Sequence, residues 1–182
     1  MIKIKKILFI DTETGGLDPK KHSLLSIGLV CWDNGKITKS KEIFIKENNY
    51  IVTPDALEIN KINVSNLNEI GITKEEADFQ IKHFINCNFG RKEIIIGGHN
   101  THFDMNFLKE NNLDNFKYNY RYIDTASILN FFYFSGLTKK NLSNLKIACE
   151  AFKINNENPH SALSDAIATA ELFTELIFFM KE

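Results

Sequence analysis

Four consecutive apolar residues, Ile7-Leu8-Phe9-Ile10, run straight into Asp11-Thr12-Glu13. This junction restricts the fold more than any other segment of the chain. A strand with one wet face alternates apolar and polar side chains, whereas a run that is apolar at every position needs cover on both faces. The chain therefore has to place this strand inside a sheet with packed layers on either side. The residues that end the run carry a second message. Side chains of a strand alternate faces, so Asp11 and Glu13 project to one side while Thr12 points to the other. Carboxylates this close repel each other unless a cation lies between them. The carboxyl edge of the strands is also where α/β sheets hold ligands. On its own residues, an acidic turn with two solvated carboxylates explains the segment equally well.

The rest of the chain supplies such layers. Runs at Leu24–Trp32 and Ile37–Ile45 flank Asp33-Asn34-Gly35, and Asn-Gly between two such runs is a strong hairpin signal. Pro54–Ile62 reads as a short helix. Thr73-Lys74-Glu75-Glu76 has the form of a capping box, opening a helix that carries Ala77, Ile81, Phe84 and Ile85 and ends near Cys87. Glu93–Ile96 is a fourth strand leading into a turn at Gly97-Gly98, and Phe103–Asn111 is helical. A short fifth strand ends at Ile123, and Asp124 caps a helix over Thr125–Phe132. Helices at Leu142–Phe152 and Ala162–Met180 complete the chain. Strands first, then strands alternating with helices, predict an α/β protein with a mixed sheet and helices on its faces.

Composition narrows the function. The chain has 182 residues, with 22 Lys+Arg against 23 Asp+Glu. That length predicts one domain, and the near-neutral balance excludes a broad cationic surface gripping long duplexes by charge alone. The three cysteines, Cys31, Cys87 and Cys149, are odd in number and widely spaced. They predict neither a disulfide framework nor a thiolate metal site, which points to a reducing compartment. The apolar run before Asp11 is too short for a signal peptide core or a membrane span. The expectation is a soluble, cytoplasmic protein with no membrane partner.

Two further segments carry chemistry. His99-Asn100-Thr101-His102-Phe103-Asp104 follows the fourth strand and places Asp104 at a helix entry, where the helix dipole favours negative charge. His160-Ser161-Ala162-Leu163-Ser164-Asp165 follows Pro159. Ser161 suits an N-cap, which puts Asp165 in the first turn of the last helix and His160 just outside it. A spacing of five on one helix would separate the two faces, so His160 has to reach a shared site from the preceding loop. A loop histidine beside a fixed carboxylate suits proton transfer. Taken singly, each segment is explained by capping. Together they set four carboxylates and a histidine at strand ends and helix starts. An all-oxygen set suits hard ions, Mg²⁺ or Mn²⁺, and two such ions can clamp the attacking and leaving oxygens of a phosphodiester.

Three stretches, Phe9-Ile10-Asp11-Thr12-Glu13-Thr14-Gly15-Gly16-Leu17, His99-Asn100 with Phe103-Asp104, and His160-x-Ala162-x-x-Asp165-Ala166, resemble in order the three motifs of the DEDD exonuclease superfamily in its histidine-bearing branch. That family includes the proofreading subunit of bacterial DNA polymerase III, ribonuclease T and oligoribonuclease. The likeness extends from about Ile7 to Phe173. It implies a ribonuclease H-like fold, a five-stranded mixed sheet with helices on both faces, in a single exonuclease domain over 1–182. It implies that Asp11, Glu13, Asp104 and Asp165 hold two Mg²⁺ or Mn²⁺ ions, with Asp11 bridging them, and that His160 is the general base. Nucleoside 5′-monophosphates would leave from the 3′ ends of single-stranded DNA or RNA. Thr14 and Leu17 match positions that contact the terminal nucleotide, and His99, Asn100 and Phe103 join them as substrate-binding candidates. A non-catalytic nucleic-acid-binding or scaffold domain is the other reading; five filled catalytic positions favour the enzyme.

The departures are minor. Gly15 stands where many relatives carry threonine, and Ser26 where many carry glutamate; neither removes a metal ligand. Association with a DNA polymerase stays open, but no polymerase-binding tail follows the last helix, so the expectation is a stand-alone enzyme. Asp124 reads as a plain N-cap, Glu171 and Glu175 as solvated, His22, His83 and His102 as surface residues, and Phe131, Phe132 and Phe134 as core.

Overall fold

A computed structural model describes residues 6–90 and 92–181. The chain opens with β1 (Ile7–Thr14), β2 (Leu24–Asp33) and β3 (Lys36–Phe44), followed by α1 (Pro54–Asn60), α2 (Val64–Ile70) and α3 (Lys74–Phe89). The second half holds β4 (Ile95–Gly98), α4 (Thr101–Glu110), β5 (Ile123–Asp124), α5 (Thr125–Phe134), α6 (Leu145–Phe152) and α7 (Ala162–Phe179). The strands form one five-stranded sheet in the order β3-β2-β1-β4-β5. β2 runs antiparallel to both its neighbours, while β1, β4 and β5 are parallel. This is the mixed ribonuclease H-like sheet that the sequence predicts.

β1 is the central strand, and its alternation builds two cores. Leu8 and Ile10 face a layer that includes Ala77 and Ile81 of α3 and Met105, Phe107 and Leu108 of α4. Ile7 and Phe9 face the opposite way and pack with Val30, Trp32, Ala166 and Ala170, beneath α7. A continuous apolar run is thus what a strand covered on both sides needs. Burying each of these side chains contributes about 1.5–3 kcal/mol. A third cluster, Leu129, Phe132, Ala148, Leu172 and Leu176, joins α5, α6 and α7.

Local signals act as read at several ends. Asn34 and Gly35 take positive φ of 54° and 87° in the β2–β3 turn, the geometry that an Asn-Gly hairpin uses. Thr73 and Glu76 form both bonds of the capping box. Other boundaries move. β4 continues through Gly97 and Gly98 rather than turning there, because the strand lies against Phe9: a Cβ on Gly97 would meet its ring at 2.6 Å. The helix read over Pro54–Ile62 stops at Asn60, where Lys61 turns left-handed (φ 55°). α2, absent from the sequence reading, follows at once with Asn63 as its cap. The helix read from Leu142 begins at Leu145, behind an Asn144 cap.

The aromatic cluster of α5 requires a correction. Phe132 is buried, but Phe131 and Phe134 are 61% and 82% exposed. Positions three apart share a helical face that the residue between them does not, so one phenylalanine enters the core and two point outward. No described helix is long and apolar enough to cross a membrane.

Candidate active site

The site forms where the carboxyl end of β1 meets the starts of α4 and α7. Asp11 and Glu13 leave β1 on the α7 side, as strand alternation requires, and Asp165 comes down from the first turn of α7. One carboxylate oxygen from each of the three lies within 4.8 Å of the others. α7 gets this close because β2 carries Gly28, where a Cβ would sit 2.1 Å from the carbonyl oxygen of Ala162. Any side chain there would push the helix, and Asp165 with it, off the sheet.

Asp104 arrives from the other layer. It is buried in the first turn of α4, and Thr12, the β1 residue facing that side, donates its hydroxyl to Asp104 Oδ1 at 2.8 Å. The residue that points away from the Asp11–Glu13 pair is thus the one that orients the fourth carboxylate. Among neighbouring charges, Asp104 has the strongest effect on Asp11, ahead of Asp165 and Glu13. The four acids form one electrostatic unit drawn from both faces of the sheet.

No Lys or Arg ion pair among the described residues involves these four. Burial, reinforced by the neighbouring carboxylates, holds Asp11 well above the usual carboxylate range. Burial first, then Asp165, Asp104 and Glu42, push Glu13 up to about 8. Burial also raises Asp104 to about 7, against the opposing pull of the Thr12 hydrogen bond. Carboxyls that must give up protons to ionise together favour a multivalent cation in their midst. An all-oxygen donor set selects hard divalent ions. The residues present therefore fit a divalent metal centre.

Asp165 is held by its own loop. Asn156 donates its amide to Asp165 Oδ1 at 2.5 Å, and the backbone N–H of His160 donates to Oδ2 at 3.2 Å. Asn156 is fixed in turn by Ser164, whose hydroxyl donates to its amide oxygen at 2.6 Å. His160 sits at φ 66°, outside α7, with its side chain exposed on the rim. From this loop the backbone N–H of His160, and not its imidazole, bonds Asp165. Ser161 holds the N-cap position but donates its hydroxyl to Glu42 at 3.3 Å instead of capping the helix. Asn156 escaped the sequence reading; its only signal is a polar residue in the loop before the third motif.

The remaining candidates fall into two groups. Leu17 stands 84% exposed after β1, on a turn ordered by His22, whose Nδ1 accepts the Asp18 N–H at 3.0 Å. Phe103 is half-buried, with its ring 5.0 Å from that of Phe107. The side chains of Thr14 and His99 are engaged within the protein, whereas that of Asn100 is exposed and makes no cap hydrogen bond. The Thr14 hydroxyl donates to the carbonyl of Gly16 at 2.8 Å. Both ring nitrogens of His99 are engaged, Nδ1 with Thr125 Oγ1 at 2.9 Å and Nε2 with the Ser143 carbonyl at 2.8 Å. Burial lowers the pKa of this imidazole, and its two bonds tie the second motif to the start of α5 and to the segment before α6. Asn100 caps α4 in the left-handed region, and its backbone N–H donates to Asp124 at 2.7 Å. Asp124 caps α5, as read, and also ties the second motif to it.

A ribonuclease H-like sheet with Asp11, Glu13 and Asp165 gathered at the end of its central strand, and Asp104 acting on Asp11 from the other layer, defines a class, the nucleases of the DEDD superfamily. Comparison with known proteins narrows it. The Exonuclease (RNase_T) family profile matches residues 8–173, and the chain belongs to that family of divalent-metal-dependent 3′–5′ exonucleases. It is 30% identical to ribonuclease T of Wigglesworthia glossinidia brevipalpis over 92% of this chain and 82% of that protein. It is 29% identical to the PolC-type DNA polymerase III of Thermotoga petrophila, over 95% of this chain but 12% of the polymerase. Among solved structures, Escherichia coli exonuclease I bound to single-stranded DNA superposes with a TM-score of 0.80 at 19% identity, covering 96% of this chain. The chain spans 41% of that exonuclease I chain. The nuclease domain of 3′hExo, a DEDDh family member bound to rAMP, gives 0.73 at 15% identity, covering 95% of this chain and 92% of that one.

Proposed function

We infer that residues 1–182 act as one domain that removes nucleoside 5′-monophosphates from the 3′ ends of single-stranded DNA or RNA, with two Mg²⁺ or Mn²⁺ ions per site. The observation that carries this reading is the convergence of Asp11, Glu13 and Asp165 oxygens within 4.8 Å, with the Asp104 carboxyl, from the opposite layer, helping to raise the pKa of Asp11. Asp11, Glu13, Asp104 and Asp165 would hold the ions, with Asp11 between them. Bound there, the ions would offset charge on the phosphate and lower the pKa of the attacking water.

The protein supplies orientation and proton transfer. Thr12 fixes the rotamer of Asp104, and Asn156 with the His160 N–H fixes Asp165. The His160 imidazole, set on a loop beside Asp165, accepts a proton from the attacking water, a role worth about 10²–10⁴ in rate. Leu17 and Phe103 present apolar surface to the terminal bases, and stacking of this kind tolerates any sequence. The solved relatives, one holding single-stranded DNA and one rAMP, support substrates of this class. Ribonuclease T among the relatives supports activity on RNA, and the PolC match supports the domain type that accompanies a polymerase. The reading places the enzyme in the cytoplasm.

The test is a 5′-labelled single-stranded oligonucleotide incubated with Mg²⁺ or Mn²⁺. Stepwise shortening from the 3′ end, silence in EDTA, and loss of activity in Asp11→Ala are expected. An Asp11→Ala protein as active as the wild type would refute the assignment. Matched DNA, RNA and dinucleotide substrates decide the preferred class.

A further inference from the structure

A second cleft, of about 590 Å³, opens beside the carboxylates. It lies between β3, the end of α1, the start of α6 and the His160 loop, with Ser26 and Glu42 inside it and Lys61 and Lys146 exposed at its edges. Ser26 faces Glu13 across the β1–β2 pairing, so the cleft adjoins the site directly, and His160 lines it too.

Three features of this cleft are costly to the fold. The Ser26 hydroxyl is buried, at 1% exposure, with no hydrogen-bond partner, where an unmet buried polar group is normally avoided. Lys146 occupies the second position of α6, where the positive end of the helix dipole disfavours a cation. Lys61 ends α1 at φ 55°, a backbone conformation better suited to glycine or asparagine. Neither lysine pairs with a carboxylate among the described residues. Two unpaired cations at the mouth and an unspent hydroxyl within form a complement to a sugar–phosphate chain. Glu42, which already accepts the Ser161 hydroxyl at 3.3 Å, adds an acceptor for a sugar hydroxyl.

We propose that this cleft binds the sugar–phosphate backbone of the nucleic-acid strand next to the cleaved bond, with Lys61 and Lys146 on its phosphates and Ser26 hydrogen-bonding a sugar or phosphate oxygen. The assignment rests on the exonuclease reading, since His160 is shared between the cleft and the carboxylates.

The experiment titrates a 5′-fluorescein-labelled strand of ten deoxythymidines against the full chain in EDTA. Binding is read by anisotropy over a series of KCl concentrations, and KM and kcat are measured separately with Mg²⁺. Each phosphate contact on a single strand adds about 0.7 to the slope of log affinity against log salt. Lys61→Asn, chosen because asparagine tolerates the left-handed backbone, and Lys146→Gln should each make the slope shallower by about 0.7 and raise KM several-fold, with kcat changed less than twofold. Ser26→Ala should raise KM by about two- to tenfold, as the loss of one neutral hydrogen bond does. Lys146→Gln should also leave Tm equal or higher, since it relieves the conflict with the dipole, so weaker binding cannot stem from unfolding. Lys39→Ala, an exposed lysine of β3 outside the cleft, gives the background slope. Slopes for Lys61→Asn and Lys146→Gln no shallower than that of Lys39→Ala would overturn the proposal. A wild-type protein that binds the strand but never shortens it with either metal would overturn the exonuclease reading, while the slopes still decide the cleft.

Discussion

Replacing Glu13 by glutamine measures the charge stored in the site. Burial and three neighbouring carboxylates raise Glu13 from its ordinary 4.5 to about 8. An acid whose folded pKa lies above its unfolded one burdens the fold only when ionised. The penalty is absent below about pH 4.5, grows with rising pH, and levels off above about pH 8. A tenfold change in proton affinity is worth about 1.4 kcal/mol, so the gap between 4.5 and about 8 sets a ceiling of about 5 kcal/mol in the metal-free protein. For a chain of 182 residues, each kcal/mol moves Tm by about 2–4 °C. Glutamine has the same shape and no charge. In EDTA at low ionic strength, Glu13→Gln should therefore melt roughly 10 °C above the wild type at pH 8 and level with it at pH 4.5. Saturating Mg²⁺ or Mn²⁺ should reverse the order at pH 8, because the wild type gains the free energy of ion binding and the variant has lost a ligand. Differential scanning calorimetry reads both effects. A Tm difference equal at the two pH values, or a metal-free variant less stable than wild type at pH 8, would refute the claim that these carboxylates are held together against their own repulsion.

His160→Gly should keep the backbone bond to Asp165 and suit the local φ of 66°, so Tm holds while kcat falls about 10²–10⁴-fold. A kcat within twofold of wild type in single-turnover assays would remove His160 from the chemistry. Asn156→Ala should cost about 10–100-fold in metal affinity or activity, as loss of a ligand's supporting hydrogen bond does, and Mn²⁺ titration followed by activity measures it. Gly28→Ala should displace α7, because the new methyl meets only backbone; about 1–3 kcal/mol of stability and most of the activity should go together in thermal melts and hydrolysis assays.

Much of this architecture can be read from local pattern. Ile7–Ile10 called for cover on both faces, and two cores duly flank β1. The capping box at Thr73 and the Asn-Gly turn at Asn34 act within a few residues, so their short-range chemistry is decisive. Asp11, Glu13, Asp104, His160 and Asp165 stood out because each sits at a strand end or helix start, positions with recognisable local signals.

Other features depended on which distant segments meet. α2 is seven residues long and buries Leu67 alone, too short a stretch for Val64, Leu67 and Ile70 to stand out as a helical period. The exposure of Phe131 and Phe134 follows from how α5 is rolled against α6 and α7, which their hydrophobicity does not encode. The partners of the two His99 nitrogens, Thr125 and the Ser143 carbonyl, lie 26 and 44 residues away along the chain. The amino-acid sequence by itself determined the periodicities, the caps and the order of the acidic segments, because those depend on neighbours along the chain. Only the tertiary structure decided that Asp104 comes from the opposite layer through Thr12, that Asn156 and a histidine N–H grip Asp165, and that Gly28 lets α7 settle onto the sheet. Each of those contacts joins residues brought together by sheet order and packing, and no local periodicity records them.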